Sequence, residues 1–305
     1  MDLHGIKFNN HKISRVVTSS IMGHYGNGIF PLTMTPSYCR FAKMVREYEV
    51  TNFTKSSTAN KRVGNFILHK PWTWKYVQKI DNLGMLNAYG LTNDGIAANA
   101  PKINHAIKQG YKVIPNFYPE FIKGREIAAK ETVLALHILE SELLLNFWAV
   151  ELNYSCPNSK EEIKKNVEDT IYCTKSIRQK FPSACIIAKI SYVHPYEFAQ
   201  ELVSAGADVI HGINAIYFKI IFPGQTSPLN GVGDGAVSGK PAFSKMLEYN
   251  KGLRKAISVP IIMGCGITSV DDVEKCIDIG ADSVSICSIA RLNEKETEKI
   301  IYKYI

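Results

Sequence analysis

The segment Asn153-Tyr154-Ser155-Cys156-Pro157-Asn158 brings a thiol and two flanking carboxamides into six residues. A free thiol titrates near pH ~8.5, close enough to neutrality to serve as a base, and nearby positive charge lowers it further. A carboxamide both donates and accepts hydrogen bonds, which suits a planar heterocycle with alternating N–H and C=O groups. Further polar residues recur along the chain at Thr54, Lys55, Asn116, Lys189 and Asn214. Singly, an Asn is a common turn former and a Cys a small buried hydrophobe. Their meaning depends on whether one scaffold gathers them.

Short apolar, β-branched runs alternate with amphipathic stretches. Strands are expected at 15–18, 48–53, 112–116, 148–153, 185–190, 208–213, 259–263 and 283–286, since runs of this kind fit strands buried on both faces. Helical patterns cover 121–146, 161–180, 196–205, 242–257, 269–278 and 294–304. Gly206 and Gly280 close two of these helices and lead directly into strands. Eight strands alternating with helices predict a (β/α)8 TIM barrel, here one domain over residues 1–305. The polar residues above then fall at strand carboxyl ends, the catalytic face of such a barrel. Residues 54–100 lack clear periodicity and are expected to form an insertion after the second strand, on that same face.

Asn153–Asn158 resembles the signature of the dihydroorotate dehydrogenases, and the resemblance continues in order from about residue 15 to the carboxyl terminus. Thr54–Thr58 is similar to the family's lysine-bearing segment, and Asn87-Ala88-Tyr89-Gly90-Leu91-Thr92-Asn93 to its substrate loop. Ala188-Lys189-Ile190 resembles its flavin-side lysine strand and Gly212-Ile213-Asn214 its later substrate asparagine. Ser238-Gly239, Gly264-Cys265-Gly266 and Cys287-Ser288 resemble its phosphate-side loops. The cysteine at 156 is similar to the base of the soluble class 1 enzymes.

This resemblance implies an FMN-dependent oxidation of dihydroorotate to orotate in pyrimidine biosynthesis. Cys156 would take the C5 proton while the C6 hydride passes to the flavin. It implies substrate contacts from Lys55, Asn87, Asn153, Asn158 and Asn214, with the substrate carboxylate on the backbone of Tyr89, Gly90 and Leu91. The implied cofactor contacts are Ser19, Lys55, Ser56, Asn116, Asn153, Lys189, Ile213, Ser238, Gly239, Gly264, Gly266, Cys287 and Ser288. Class 1 enzymes pass electrons to fumarate as homodimers, or to NAD through an iron–sulfur flavoprotein subunit. A homodimer is therefore expected here, with that second subunit as a further partner.

The chain departs from the family pattern in places. Met263, Cys265 and Cys287 stand where glycines are usual and are expected to crowd the phosphate. Ala215 replaces a hydroxyl residue, and Ser159-Lys160-Glu161-Glu162 looks like a helix start where the family has a longer lid. A related FMN reductase with another planar substrate, or a barrel that holds FMN or a phosphate ligand without turnover, are therefore alternatives.

Composition narrows the remaining classes. The net charge of +8 comes from lysines spread among helical stretches, not from a block of the kind a nucleic-acid arm carries. It fits either a solvated basic surface or the attraction of anionic ligands. No apolar run reaches the roughly 18 residues of a membrane span, and the start Met1–Lys7 has no signal-peptide pattern, so a cytoplasmic chain is expected. The seven cysteines form no Cys-x-x-Cys pair, which argues for free thiols and against an iron–sulfur cluster within this chain. No Gly-x-Gly-x-x-Gly follows a strand, so a site for NAD would have to come from a partner.

Overall fold

A computed structural model describes residues 5–24, 32–155 and 167–304. The strands are β1 (Ile6–Phe8), β2 (His11–Ile13), β3 (Val16–Ser19), β4 (Asn52–Ser57), β5 (Val77–Lys79), β6 (Gly84–Asn87) and β7 (Val113–Phe117). They continue as β8 (Ala149–Asn153), β9 (Cys185–Ile190), β10 (Val209–Gly212), β11 (Ile216–Tyr217), β12 (Ala236–Gly239), β13 (Ile261–Gly264) and β14 (Ser283–Ile286). The helices are α1 (Pro36–Glu47), α2 (Ile96–Lys108), α3 (Arg125–Leu143), α4 (Val167–Lys180) and α5 (Tyr196–Ser204). They continue as α6 (Phe218–Ile221), α7 (Lys240–Ala256), α8 (Val270–Asp278), α9 (Ile289–Leu292) and α10 (Glu294–Lys303).

Strands β3, β4, β7, β8, β9, β10, β13 and β14 form a closed, all-parallel barrel, with β14 returning to pair with β3. This is the (β/α)8 TIM barrel expected from the alternation of apolar runs and helices. β8 and β9 are buried at every position, as strands with a filled barrel inside and helices outside must be. Toward the amino-terminal ends of the strands, Val17, Phe53, Ile114, Ala149, Ile187, Val209 and Ile262 form an apolar cluster. Ile6 and Ile13 of the β1–β2 hairpin pack into it.

Two segments differ from expectation. The second barrel strand runs from Asn52 to Ser57, not over 48–53. Tyr48, Glu49 and Val50 are used instead to close α1, their N–H groups donating to the carbonyls of Met44, Arg46 and Val45. Consequently Thr54, Lys55 and Ser56 lie within the strand, and the β4–β7 register shifts between Phe53 and Ser56. Asn116 likewise lies inside β7.

The insertion after the second barrel strand is ordered, and it is not alone. Its strands β5 and β6 join β11 and β12, from the connection after β10, in a four-stranded antiparallel sheet. Helix α2 then begins at Ile96, inside the stretch that lacked periodicity.

Candidate active site

A cavity of about 360 Å³ opens where the carboxyl ends of the barrel strands meet this sheet. Its size falls in the roughly 300–1,000 Å³ range of small-molecule and cofactor sites. The barrel contributes Ser19, Lys55, Ser56, Asn116, Asn153, Lys189 and His211 to its walls, and the sheet contributes Val77, Met85, Asn87 and Ser238.

Strand register places the polar residues side by side. Asn116 is level with Glu151, Asn153 with Lys189, and Lys189 with His211. Glu151 is fully buried. Its carboxylate accepts from His211 Nδ1 at 2.5 Å and from Asn116 Nδ2, with Lys189 Nζ 4.0 Å away. Burial pushes the Glu151 pKa up, but the Lys189 charge, His211 and Asn116 outweigh it and hold it below the usual carboxylate range. His211 is held below its usual value by burial and by the Lys189 charge, against the pull of Glu151. Near neutral pH it is therefore an uncharged ring that donates from Nδ1. Lys189 Nζ donates to Ser19 Oγ at 2.8 Å, so its side chain is fixed between Glu151 and the first barrel strand.

The rest of the wall is tied to this floor. Asn153 Nδ2 donates to Ser56 Oγ at 2.8 Å, and its Oδ1 accepts from the backbone and hydroxyl of Ser155. Asn214 Nδ2 reaches the Ser155 carbonyl at 3.5 Å. Lys55 Nζ lies 3.5 Å from the centroid of the Tyr89 ring, a cation–π contact, and Phe66 stacks on the other partner of that pair. Gly90 and Leu91 adopt φ of +78° and +60°, a double left-handed turn that only the glycine takes without strain. A Cβ at Gly64 would come 2.3 Å from the Gly90 carbonyl oxygen, so that glycine is needed for the loop to sit this close.

Of the sequence-predicted residues, the cavity brings together Ser19, Lys55, Ser56, Asn87, Tyr89, Gly90, Leu91, Asn116, Asn153 and Lys189. Ile213, Asn214, Ser238, Gly266, Cys287 and Ser288 complete that group. Gly239 and Gly264 do not line it. They are packing positions behind it, where a Cβ would meet the Leu83 carbonyl oxygen at 2.1 Å and Ser285 Cβ at 2.8 Å respectively. Cys156, Asn158 and the 159–162 segment lie outside the described residues.

The expected crowding by Met263 does not occur, because its side chain is fully buried in the core and is not part of the cavity wall. Cys265 and Cys287 do face the cavity. Burial pushes the Cys265 thiol up to about 12 and raises that of Cys287, so neither carries a negative charge that would repel an anion. Cys265 holds φ at +77°, the conformation for which glycine is usual.

Glu151, His211 and Arg291 were not singled out from the sequence. Glu151 and Asn153 are two apart on one strand and so share a face. That spacing was the available signal for Glu151. Arg291 also lines the cavity, one helical turn beyond Ser288.

One observation bears on a cofactor. Asn116 Oδ1 is buried in the cavity wall without a hydrogen-bond partner among the described residues. An acceptor left in this state costs about 1–3 kcal/mol unless a ligand N–H meets it. A flavin ring, with an N–H between two carbonyls, fits this acceptor and the neighbouring Lys189 donor.

A family model described as dihydroorotate dehydrogenase matches residues 41–305. Among similar proteins is the dihydroorotate dehydrogenase B (NAD(+)), catalytic subunit, of Oceanobacillus iheyensis. It is 34% identical over 215 residues, covering 67% of this chain and 66% of that protein. The protein of the same name from Malacoplasma penetrans is 28% identical over 244 residues, covering 76% of this chain and 72% of that protein. That of Thermotoga maritima is 27% identical over 209 residues, with 67% and 72% covered. The matched stretch thus spans a little under two thirds of the Oceanobacillus protein. This chain belongs to the dihydroorotate dehydrogenase family, and the matched stretch holds every residue lining the cavity except Ser19, Ser20 and Ile21.

Proposed function

We propose that the chain oxidises dihydroorotate to orotate for pyrimidine synthesis in the cytoplasm, with FMN bound in the barrel mouth. The observation that carries this reading is the convergence of Lys55, Lys189, Asn87, Asn116, Asn153 and Asn214 on one cavity of cofactor size. Family membership supports it.

Bound FMN supplies the acceptor for the hydride that leaves C6 of the substrate. Ser19, Ser56, Asn116 and Lys189 would hold the ring, and Ser238, Gly266 and Ser288 would hold the phosphate. Lys189 offers a fixed positive charge where negative charge develops, without reorganisation at the moment of reaction. Asn87, Asn153, Asn158 and Asn214 hold the pyrimidine. The N–H groups of the Tyr89–Leu91 turn would receive its carboxylate, and Lys55 would contact both substrate and cofactor. Cys156, as thiolate, takes the C5 proton, so the base and the departing hydride serve adjacent carbons. The segment leading to Cys156 is anchored at its start by the Ser155–Asn153 hydrogen bonds. NAD would be the final electron acceptor, reached through a second, iron–sulfur flavoprotein subunit, a reading supported by relatives whose names specify NAD(+) and a catalytic subunit.

Anaerobic mixing of FMN-loaded protein with dihydroorotate tests the proposal. The yellow absorbance band is expected to bleach with dihydroorotate, and far more slowly with dihydrouracil, which lacks the carboxylate. A band that persists with dihydroorotate, or bleaches equally with dihydrouracil, contradicts it.

A further inference from the structure

The phosphate end of the cavity differs from the rest in having few fixed charges. Ser238 Oγ and Ser288 Oγ lie 2.7 Å apart and face the same space as Cys265, Gly266 and Cys287. Cys265 and Cys287 present thiol side chains here, and burial keeps both neutral. The two thiol side chains take up space that glycine would leave open.

Arg291 stands at this end. Ser288 has helical backbone angles, and the Arg291 N–H donates to the Ser288 carbonyl at 3.1 Å. Residues three apart on a helical turn share a face. Arg291 therefore projects from the same side as the Ser288 hydroxyl, and it lines the cavity with it. Arg291 is solvent-exposed, and its guanidinium has no hydrogen bond or ion pair among the described residues. Most arginines that fold against this protein are engaged: Arg178 and Arg254 each bind an aspartate and several carbonyls, and Arg62 binds Glu120. A guanidinium presents a planar fork of donors matched to phosphate oxygens.

We propose that Arg291 is the counter-charge for a phosphate monoester held by the Ser238 and Ser288 hydroxyls. The proposal rests on the flavin reading above, in which that monoester is the phosphate of FMN. Arg291 thereby makes the site discriminate FMN from riboflavin.

Binding to flavin-free protein, followed by flavin fluorescence, separates the two claims. Wild-type protein is expected to bind FMN more tightly than riboflavin. Arg291→Gln is expected to weaken FMN binding by about tenfold or more, the scale of one lost charge-assisted hydrogen bond, and to leave riboflavin binding unchanged. Arg291→Lys is expected to recover part of the loss, and added salt to weaken FMN binding to wild type more than to Arg291→Gln. Inorganic phosphate should compete with FMN for wild type and lose that effect in the variant. Equal FMN affinities for wild type and Arg291→Gln, or equal weakening of both flavins, would overturn the assignment. A wild-type protein that binds neither flavin would instead refute the flavin reading itself.

Discussion

Replacing Lys189 by methionine isolates what the buried charges of the barrel contribute. The side chain keeps its length and apolar stem, but Glu151 loses the one lysine or arginine charge near it among the described residues. The separation of 4.0 Å between Lys189 Nζ and Glu151 Oε2 corresponds to about 4 kcal/mol of attraction at an effective dielectric of ~20. Protonation of Glu151 sets a ceiling on the loss. Neutralising a carboxyl of ordinary pKa ~4.3 at pH 7 costs about 3.7 kcal/mol, so the folded state can always escape by that route. Lys189→Met is therefore expected to lose roughly 3–4 kcal/mol at pH 7, in line with breaking a buried pair by removing one partner.

The pH dependence carries a definite sign. In wild type the Glu151 pKa is depressed, so its contribution is present above the unfolded value and fades as pH falls. In the variant the folded carboxyl is raised above its unfolded value, so the folded state binds the extra proton. The loss should then shrink as pH falls from 7 toward about 4.3. The double variant Glu151→Gln/Lys189→Met leaves no buried charge, and the glutamine amide can still bond His211 and Asn116. It should be more stable than Lys189→Met alone, with a coupling of about 2–3 kcal/mol. Urea unfolding of flavin-free protein at pH 7 and pH 5, with the slopes checked for constancy, measures all of this. A Lys189→Met loss below about 1 kcal/mol, a loss independent of pH, or a double variant that is simply additive would refute the electrostatic reasoning.

Other expectations concern separate parts of the molecule. Asp272 Oδ2 accepts from Thr268 N and Oγ1, and Oδ1 from Lys240 Nζ at 2.7 Å, tying the loop after β13 to the start of α7. Asp272→Asn should cost about 2 kcal/mol in thermal or urea unfolding at pH 7. Despite burial, Lys240 and Thr268 hold the Asp272 pKa down, so the difference from wild type should fade at acidic pH; a constant difference would argue against the ionic role. Burial lowers His194 to about 3, and its neutral Nδ1 accepts from Ser191 N at 3.1 Å. Its contribution is complete above the unfolded pKa of ~6.5 and is lost at about 1.4 kcal/mol per pH unit below it. His194→Asn should flatten the stability profile between pH 6.5 and about 4.5 by that slope, and an unchanged slope would contradict it. Cys156→Ala is expected to retain FMN but abolish bleaching by dihydroorotate; bleaching at the wild-type rate would remove Cys156 as the base.

The barrel was legible because buried parallel strands are short, apolar and punctuated by helices, a pattern that survives without knowing any contact. Lys189 was legible for the complementary reason, as a lone cation inside an apolar run. Glu151 and His211 were not, although they too interrupt apolar strands. A charged residue in a strand also fits an exposed edge, and only barrel closure turns the two toward each other. The second barrel strand was misplaced because Tyr48 and Val50 are good strand formers that the end of α1 consumes. The four-stranded sheet was missed because β6 and β12 are far apart in sequence, and neither is long enough to announce a partner. Arg291 is the one charged residue of a short apolar helix, and in sequence it reads as that helix's solvated face. Only its place beside Ser288 and Ser238 distinguishes it.

Oxidation of dihydroorotate by a flavin bound in this cavity is the proposal to be tested. A single anaerobic turnover tests it most directly: FMN-loaded protein is mixed with excess dihydroorotate, no electron acceptor is present, and the orotate released is quantified by chromatography. Orotate equimolar with the flavin that bleaches is expected. Loss of the yellow band without orotate, or no orotate from fully flavin-loaded protein, would contradict it.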